Sequence, residues 1–356
     1  MREPNGLAVP VCLANLALQR SSPGFSGRAG HRGAGFGLVE IMIAIALGLI
    51  LVSSLLALYA SQKSSALVEA SVNALQDDVL FASDLIARDI RASGDFGCNA
   101  RAETVNTLID KVIKIDSNTV PAKGFANYVA VPADLHGYSA LKKNNPVKNS
   151  PILMLSGAYG GVTHLRSKMA GTNTRILVAS AEGFERDDLV MVSNCRNAAL
   201  LKLTGVKHDE NIMTHGVDLG HAFGVGADVV QVDTIWYAIC QPEGKPKGLY
   251  RVRSQRGVAG VAGVAQLITE KIEKWQLRYV RDANNDLILD EGSLTAAEVG
   301  ADWTNIAAVG VEMVLRSDKP VSGTPQTSYY FDGQKIAVDD SFSYRVVATQ
   351  TRLRNI

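Results

Sequence analysis

Charge is missing where a folded domain usually carries it. No charged residue separates Glu40 from Lys63, so 22 consecutive positions are uncharged in a 356-residue chain that is otherwise 20% charged. No proline occurs from Phe36 to about Ser93. G-x-S-x-G, a phosphate-binding glycine loop before a lysine, and H-E-x-x-H are all absent. The chain therefore offers no hydrolase elbow, no nucleotide loop and no zinc-protease helix, and it reads as a non-enzyme needing no cofactor. A basic excess is lacking too: the formal net charge is +1, whereas a phosphate-binding surface shows a basic stripe. No repeat of solenoid period is present. The length suits one large domain or two small ones.

What is there begins with the uncharged run. A helix needs about 20 apolar residues to cross the hydrocarbon core, and residues 41–62 supply them. A secretory signal has an apolar region of roughly 7–15 residues and a small-residue cleavage site, which this run does not resemble. It reads as a retained anchor. Residues 1–35 are rich in Gly, Ser, Arg and Pro, and carry Arg2, Arg20, Arg28 and Arg32 against Glu3 alone. By the positive-inside rule that end stays in the cytoplasm and the bulk of the chain is exported. Without this leader 32 basic and 34 acidic residues remain, a net of −2, so no nucleic-acid partner is expected. The locally basic KKNNPVK (142–148) and closing TRLRNI are read as solvated. Cys98, Cys195 and Cys240 lie beyond the anchor and Cys12 before it. Three exported cysteines allow one intramolecular bond with one left over.

The helical pattern continues past the run to Gly94, which suits the position after a helix C-terminus. Val68, Val72, Leu75, Val79, Ala82, Ile86 and Ile90 recur three or four apart, an apolar stripe beside Asp77, Asp78, Asp84 and Asp89. Gly48 and the pair Ser53 and Ser54 are the expected weak points of the helix. Short strands follow: PILMLSGAYGG, TRILVAS, DLVMVSNC, DVVQVDTIWYAIC and GLYRVR. WQLRYV puts Trp275, Leu277 and Tyr279 on one face, and IAAVGVEMVLRS does the same with Val309, Val311, Met313 and Leu315. SYRVVATQTRL is the expected last strand. Residues 205–227 and GVAGVAG (257–263) read as loops. The fold class is α+β, a long N-terminal helix whose exported half packs on an antiparallel β-sheet domain.

A carboxylate at the head of a membrane helix costs roughly 2.5–3.5 kcal/mol at the helix centre, less near an end, and marks a functional site. Here Gly35 precedes Phe36-Gly37-Leu38-Val39-Glu40. A cut after Gly35 would free the Phe36 amine four residues before Glu40, on the same helical face. This pattern resembles the class III signal of type IV pilins and type II secretion pseudopilins. That signal is a Gly before the cut, a Phe after it and a Glu four residues on, heading an apolar helix. ARDIRASGDFGC (87–98), GFERDDLVMVSNCRNA (183–198), GLYRVR, WQLRYV with its acidic turn, Trp303 and YRVVATQTRLRN resemble, in order, blocks of the PilW family of minor pilins. Gly37 stands where Thr or Ser is commoner in the family, the 35-residue leader is long for it, and the helix lacks the proline of major pilins. The last feature fits a minor subunit.

The resemblance implies four segments: a cleaved leader over 1–35, a membrane or filament-core helix over 36–62, its amphipathic continuation over 63–94, and a β-rich domain over 95–356. It implies cutting by a prepilin peptidase between Gly35 and Phe36, N-methylation of Phe36, and pairing of Glu40 with the Phe amine of a neighbouring subunit. The protein would sit in the inner membrane by a single pass, its C-terminal domain in the periplasm. It would then enter a type IV pilus with other minor and major pilins, helping prime assembly near the tip. Alternatives are a minor pseudopilin of a type II secretion machine and a membrane-anchored adhesin. The family-like blocks also imply a Cys98–Cys195 disulfide. Three free thiols, or a Cys195–Cys240 bond, remain open from the residues themselves.

Two further clusters carry less. RDANNDLILDEGS (281–293) sets Asp282, Asn284, Asp286 and Asp290 at calcium-loop spacing. Leu287 replaces the glycine and Ser293 the final Glu of an EF-hand, so a solvated hairpin loop competes with calcium binding. His208, His215 and His221, with Asp209 and Asp218, match no metal spacing and are read as surface residues.

Overall fold

A computed structural model describes residues 37–96, 104–107, 122–133, 135, 137–173, 175–194, 196–254, 264–284, 286, 288–290, 292–303, 305–320 and 326–353. The chain forms two units, Met1–Tyr59 and Ala60–Ile356. Helix α1 (Leu38–Ala92) supplies the described part of the first unit, residues 38–59, and opens the second. It is unbroken at the expected weak points. Ser53 and Ser54 each donate a hydroxyl hydrogen bond to the Ile50 carbonyl, at 2.8 and 2.9 Å, so neither competes with the ladder as a free polar group.

In the second unit β1 (Thr104–Thr107) and β2 (Ala122–Phe125) precede the short helix α2 (Tyr138–Lys143). Then come β3 (Ile152–His164), β4 (Ile176–Leu177), β5 (Leu189–Ser193), β6 (Asn197–Lys207) and β7 (Ile212–His215). β8 (Asp228–Cys240), β9 (Gly248–Arg253), β10 (Val264–Thr269) and β11 (Ile272–Arg281) follow. After α3 (Ala296–Val299) the chain ends in β12 (Ile306–Arg316), β13 (Ser328–Phe331), β14 (Gln334–Ala337) and β15 (Tyr344–Arg352).

The first ten strands make one sheet with β8 as its spine. β3 runs antiparallel along one side of β8; β5 and then β9 share the other. All thirteen residues of β8 except Asp228 are buried, which is why DVVQVDTIWYAIC reads as an almost continuous apolar run instead of an alternating one. Ile235, Tyr237 and Ile239 face α1, while Trp236, Ala238 and Cys240 pack on Phe125, Leu141 and Tyr250 on the far side. β11, β12 and β15 form a second, antiparallel sheet, and β13 with β14 a hairpin. Leu75, Ala82, Ile86 and Ile90 of α1 are at most 1% exposed, in one core with Ile235 and Tyr237 of the large sheet and Trp275, Val309 and Met313 of the small one. Four residues of the predicted stripe are thus buried, and Val68, Val72 and Val79 are half-buried. Gly94, at φ 76°, turns the chain out of the helix and donates its N–H to the Ser156 carbonyl.

Residues 205–227 are not all loop as expected. Gly205 to Lys207 continue β6, and Ile212 and Met213 are buried in β7, which pairs with β6 and β4. The apolar pair was too short to show a period, and only its cross-strand partners make it a strand. TRILVAS contributes no more than the two-residue β4. GVAGVAG lies outside the described residues.

Gly137 opens α2 at φ 79°, and a Cβ there would lie 2.1 Å from the Ser254 Oγ and 2.6 Å from the Trp236 Nε1. Both are buried atoms. Gly137→Ala is expected to lower the unfolding free energy by about 2 kcal/mol or more, from left-handed strain plus overpacking. Urea unfolding of the detergent-solubilised chain measures it.

Candidate functional site

The described half of the N-terminal signal is Glu40 and the helix it heads. The Gly37 carbonyl accepts from the N–H groups of Glu40 and Ile41, at 2.9 and 3.2 Å, and sets the first turn. There the helix dipole favours an anion by about 0.3–1 kcal/mol. None of residues 38–59 is buried. Leu38, Leu49, Leu51 and Leu55 are each at least 65% exposed. These 22 residues span roughly 33 Å of helix, close to the hydrocarbon thickness of a bilayer. The helix is long and apolar enough to cross a membrane. Gly35 and Phe36 lie outside the described residues, as do Cys98 and Cys195. Cys240 is a free, fully buried thiol whose pKa burial pushes up to about 12.

The later part of α1 docks through a polar clasp that the sequence did not reveal. Asp77, Asp78, Asp84 and Asp89 were expected beside the apolar stripe, but two of them turn inward. Asp89 is 6% exposed. Its Oδ2 accepts from Arg251 Nε at 2.6 Å and from Tyr237 Oη at 2.6 Å, and its Oδ1 accepts from Arg251 Nη2 at 3.3 Å. Tyr159 Oη donates to the Asp89 carbonyl at 2.9 Å. Arg253, two residues along β9 on the same face, bonds Asp233 of β8 and the Tyr159 carbonyl. Three turns earlier Asp78 accepts from Thr269 Oγ1 at 2.9 Å and pairs with Lys271 at 3.1 Å. Asp84 instead pairs with Arg88 on the exposed face, at 2.8 Å.

Electrostatics follow from burial. Desolvation, then the Asp89 charge, pushes the Tyr237 and Tyr159 phenols well above their ordinary range, so both stay proton donors. Burial alone would lower the Arg251 guanidinium, but its hydrogen bond and attraction to Asp89 hold it above the usual value. Burying Asp89 near a helix C-terminus is unfavourable on two counts, desolvation and the dipole, and Arg251 offsets both. The one sequence signal was GLYRVR, whose two arginines share a strand face otherwise occupied by core residues.

The acidic loop after β11 closes on its own backbone. Asp282 Oδ1 accepts from the Asp286 N–H at 3.1 Å, Asp286 Oδ1 from Ile288 at 2.7 Å and Asp290 Oδ2 from Ala283 at 3.0 Å. Asn284 Nδ2 donates to Asp286 Oδ2 at 2.9 Å. Calcium would have to compete with these donors. Among the described residues no group of three or more His, Cys, Asp or Glu is placed to hold a metal ion. His208 is exposed, and His215 and His221 are half-buried with separate partners, Val217 O and Asn194.

Asp89→Ala is expected to destabilise the chain by about 3 kcal/mol, because it strands a half-buried guanidinium and the Tyr237 hydroxyl bonded to the same carboxylate. Asp89→Leu combined with Arg251→Met should recover most of that loss; chemical unfolding of the two variants checks it. For the acidic loop, the melting temperature is expected to be the same in calcium and in excess EDTA. Differential scanning calorimetry checks this, and a calcium-dependent rise would establish calcium binding.

No curated protein and no solved structure matches the chain. Residues 236–355, from the last part of β8 through β15, match the PilW family model, described as Type IV Pilus-assembly protein W, which agrees with the resemblance of the blocks from GLYRVR onward and ties this part of the chain to type IV pilus assembly.

Proposed function

We propose that the protein is a minor pilin of a type IV pilus, cut by a prepilin peptidase after Gly35 and methylated at Phe36. It waits in the inner membrane with its β domain in the periplasm, then joins other minor and major pilins in the filament and primes assembly near the tip. The observation that carries this reading is an uncovered helix, residues 38–59, headed by one acid and followed by a domain whose last part matches PilW. Lipid covers such a helix while the subunit waits, and the helices of other subunits cover it afterwards. No lysine or arginine lies between Phe36 and Lys63 to balance Glu40. A carboxylate in a low-dielectric interior is costly alone and tolerable when an opposite charge meets it. A neighbouring subunit's Phe amine supplies that charge, so adding a subunit neutralises an acid that lipid cannot.

N-terminal sequencing of the exported protein is expected to begin at Phe36. Gly35→Ala should leave the leader attached and block entry into fibres. Glu40→Ala should be cut normally yet be recovered from sheared pili at a small fraction of the wild-type amount. Wild-type recovery of that variant would refute the charge-pairing account.

A further inference from the structure

The stretch KKNNPVK (142–148), read from the sequence as solvated, does not stand alone in the structure. It is tied to the loop QPEGKPK (241–247) that leads from β8 into β9. The Gln241 N–H donates to the Asn145 carbonyl at 3.0 Å, and Asn145 Nδ2 donates to the Gln241 carbonyl at 3.1 Å. The Val147 N–H donates to the Ile239 carbonyl at 2.8 Å. Together the two loops carry Lys142, Lys143, Lys148, Lys245 and Lys247 against one acid, Glu243. All five lysines are exposed, and among the described residues none of them forms an ion pair. This is a net charge of +4 in 14 residues, in a chain whose net charge beyond the leader is −2.

The opposite charge gathers at the other end of the same unit. Cys240 pairs with Gly248, and Leu249 pairs with Thr269 at the end of β10. β11 begins at Ile272, so the lysine loops lie near its start. From there β11 runs ten residues, roughly 30 Å, to Arg281. The next 24 residues, 282–305, hold six acids and neither lysine nor arginine. Asp286, Asp290, Glu298 and Asp302 are exposed. Arg281, the cation at the root of this segment, donates to the Val299 and Asp302 carbonyls. The donors that close the acidic loop are neutral N–H groups, which leave its negative charge in place.

Lipid headgroups do not suit the lysine loops. Thr269 bonds Asp78, so these loops lie level with Asp78 of α1. Asp78 stands 16 residues beyond Gln62, where the uncharged run ends. That is about 24 Å of helix, or roughly three Debye lengths at physiological salt. The complementary surface on the page is the chain's own acidic end.

We propose that the lysine end of one copy of this chain docks on the acidic end of a second copy, with Lys245 and Lys247 facing the partner copy's acidic loop at Asp286 and Asp290. The two patches are different surfaces, so the contact is heterologous and repeats into an open row instead of closing as a pair. Exposed ion pairs are individually weak and screened by salt, so the contact sums several of them. It names a neighbour for the filament proposed above, and rests on that reading only for the crowding that a weak contact needs.

The test uses the full chain in detergent micelles at low salt and about 100 µM, a concentration that populates a weak contact. Equal amounts of 15N-labelled and unlabelled copies are mixed and treated with a carbodiimide, which joins an amine to a carboxylate it touches. The two ends are too far apart to be joined within one chain. Links from Lys245 or Lys247 to Asp286 or Asp290 are therefore expected between labelled and unlabelled peptides. Raising NaCl to about 0.5 M should cut their yield about tenfold. Lys245→Glu with Lys247→Glu forms one variant, and Asp286→Lys with Asp290→Lys another. Both should keep the wild-type melting temperature, and neither should link alone at these four positions, whereas their mixture should. Absence of links between copies, an equal yield at high salt, or an unlinked mixture of the two variants would each overturn the proposal. The readout involves no pilus, so it stands or fails apart from the filament reading.

Discussion

An apolar helix that its own chain leaves uncovered has to be covered by something else. Each large aliphatic side chain kept in water forgoes roughly 1.5–3 kcal/mol of burial. Residues 38–59 present such side chains on every face. A helix apolar all round is at rest only inside lipid or inside a bundle of like helices. Glu40, in the first turn of this helix, is the one acid among these apolar side chains.

The rest of α1 solves a different problem. Its apolar stripe binds it into the core shared by the two sheets, but a stripe repeating every three or four residues tolerates a slip of one turn. Asp78 and Asp89 stand 11 residues apart, about three turns, and each meets a fixed cationic partner, Lys271 and Arg251. A slip by one turn would part both carboxylates from these partners. The clasp therefore adds little net stability over an apolar contact, and its physical effect is to select one register for the helix on the sheet. Tyr237 and Tyr159 tighten that choice by holding the side chain and carbonyl of the same residue.

Local patterns were legible and long-range ones were not. The helix limits fell within two residues of the expected ones, because periodicity and the glycine after the C-terminus are local signals. β8, β9, β11, β12 and β15 were read directly from apolar runs and alternation. β7 escaped notice because four residues carry no period, and its burial depends on partners in β6 and β4. The clasp escaped because Asp89 and Arg251 are 162 residues apart. An aspartate on the flank of a helical stripe reads as solvated until the arginine opposite it is known.

By itself, the sequence determined what depends on neighbours along the chain: an uncharged helix of membrane length, the acid at its head, the glycine and phenylalanine before it, and the strand alternation behind it. The tertiary structure decided which acids face a cation and that Cys240 is a sealed free thiol. The reason is distance. Helix period and turn chemistry act over a few residues, whereas the partner of a buried charge or of a strand edge is set by the path of the whole chain.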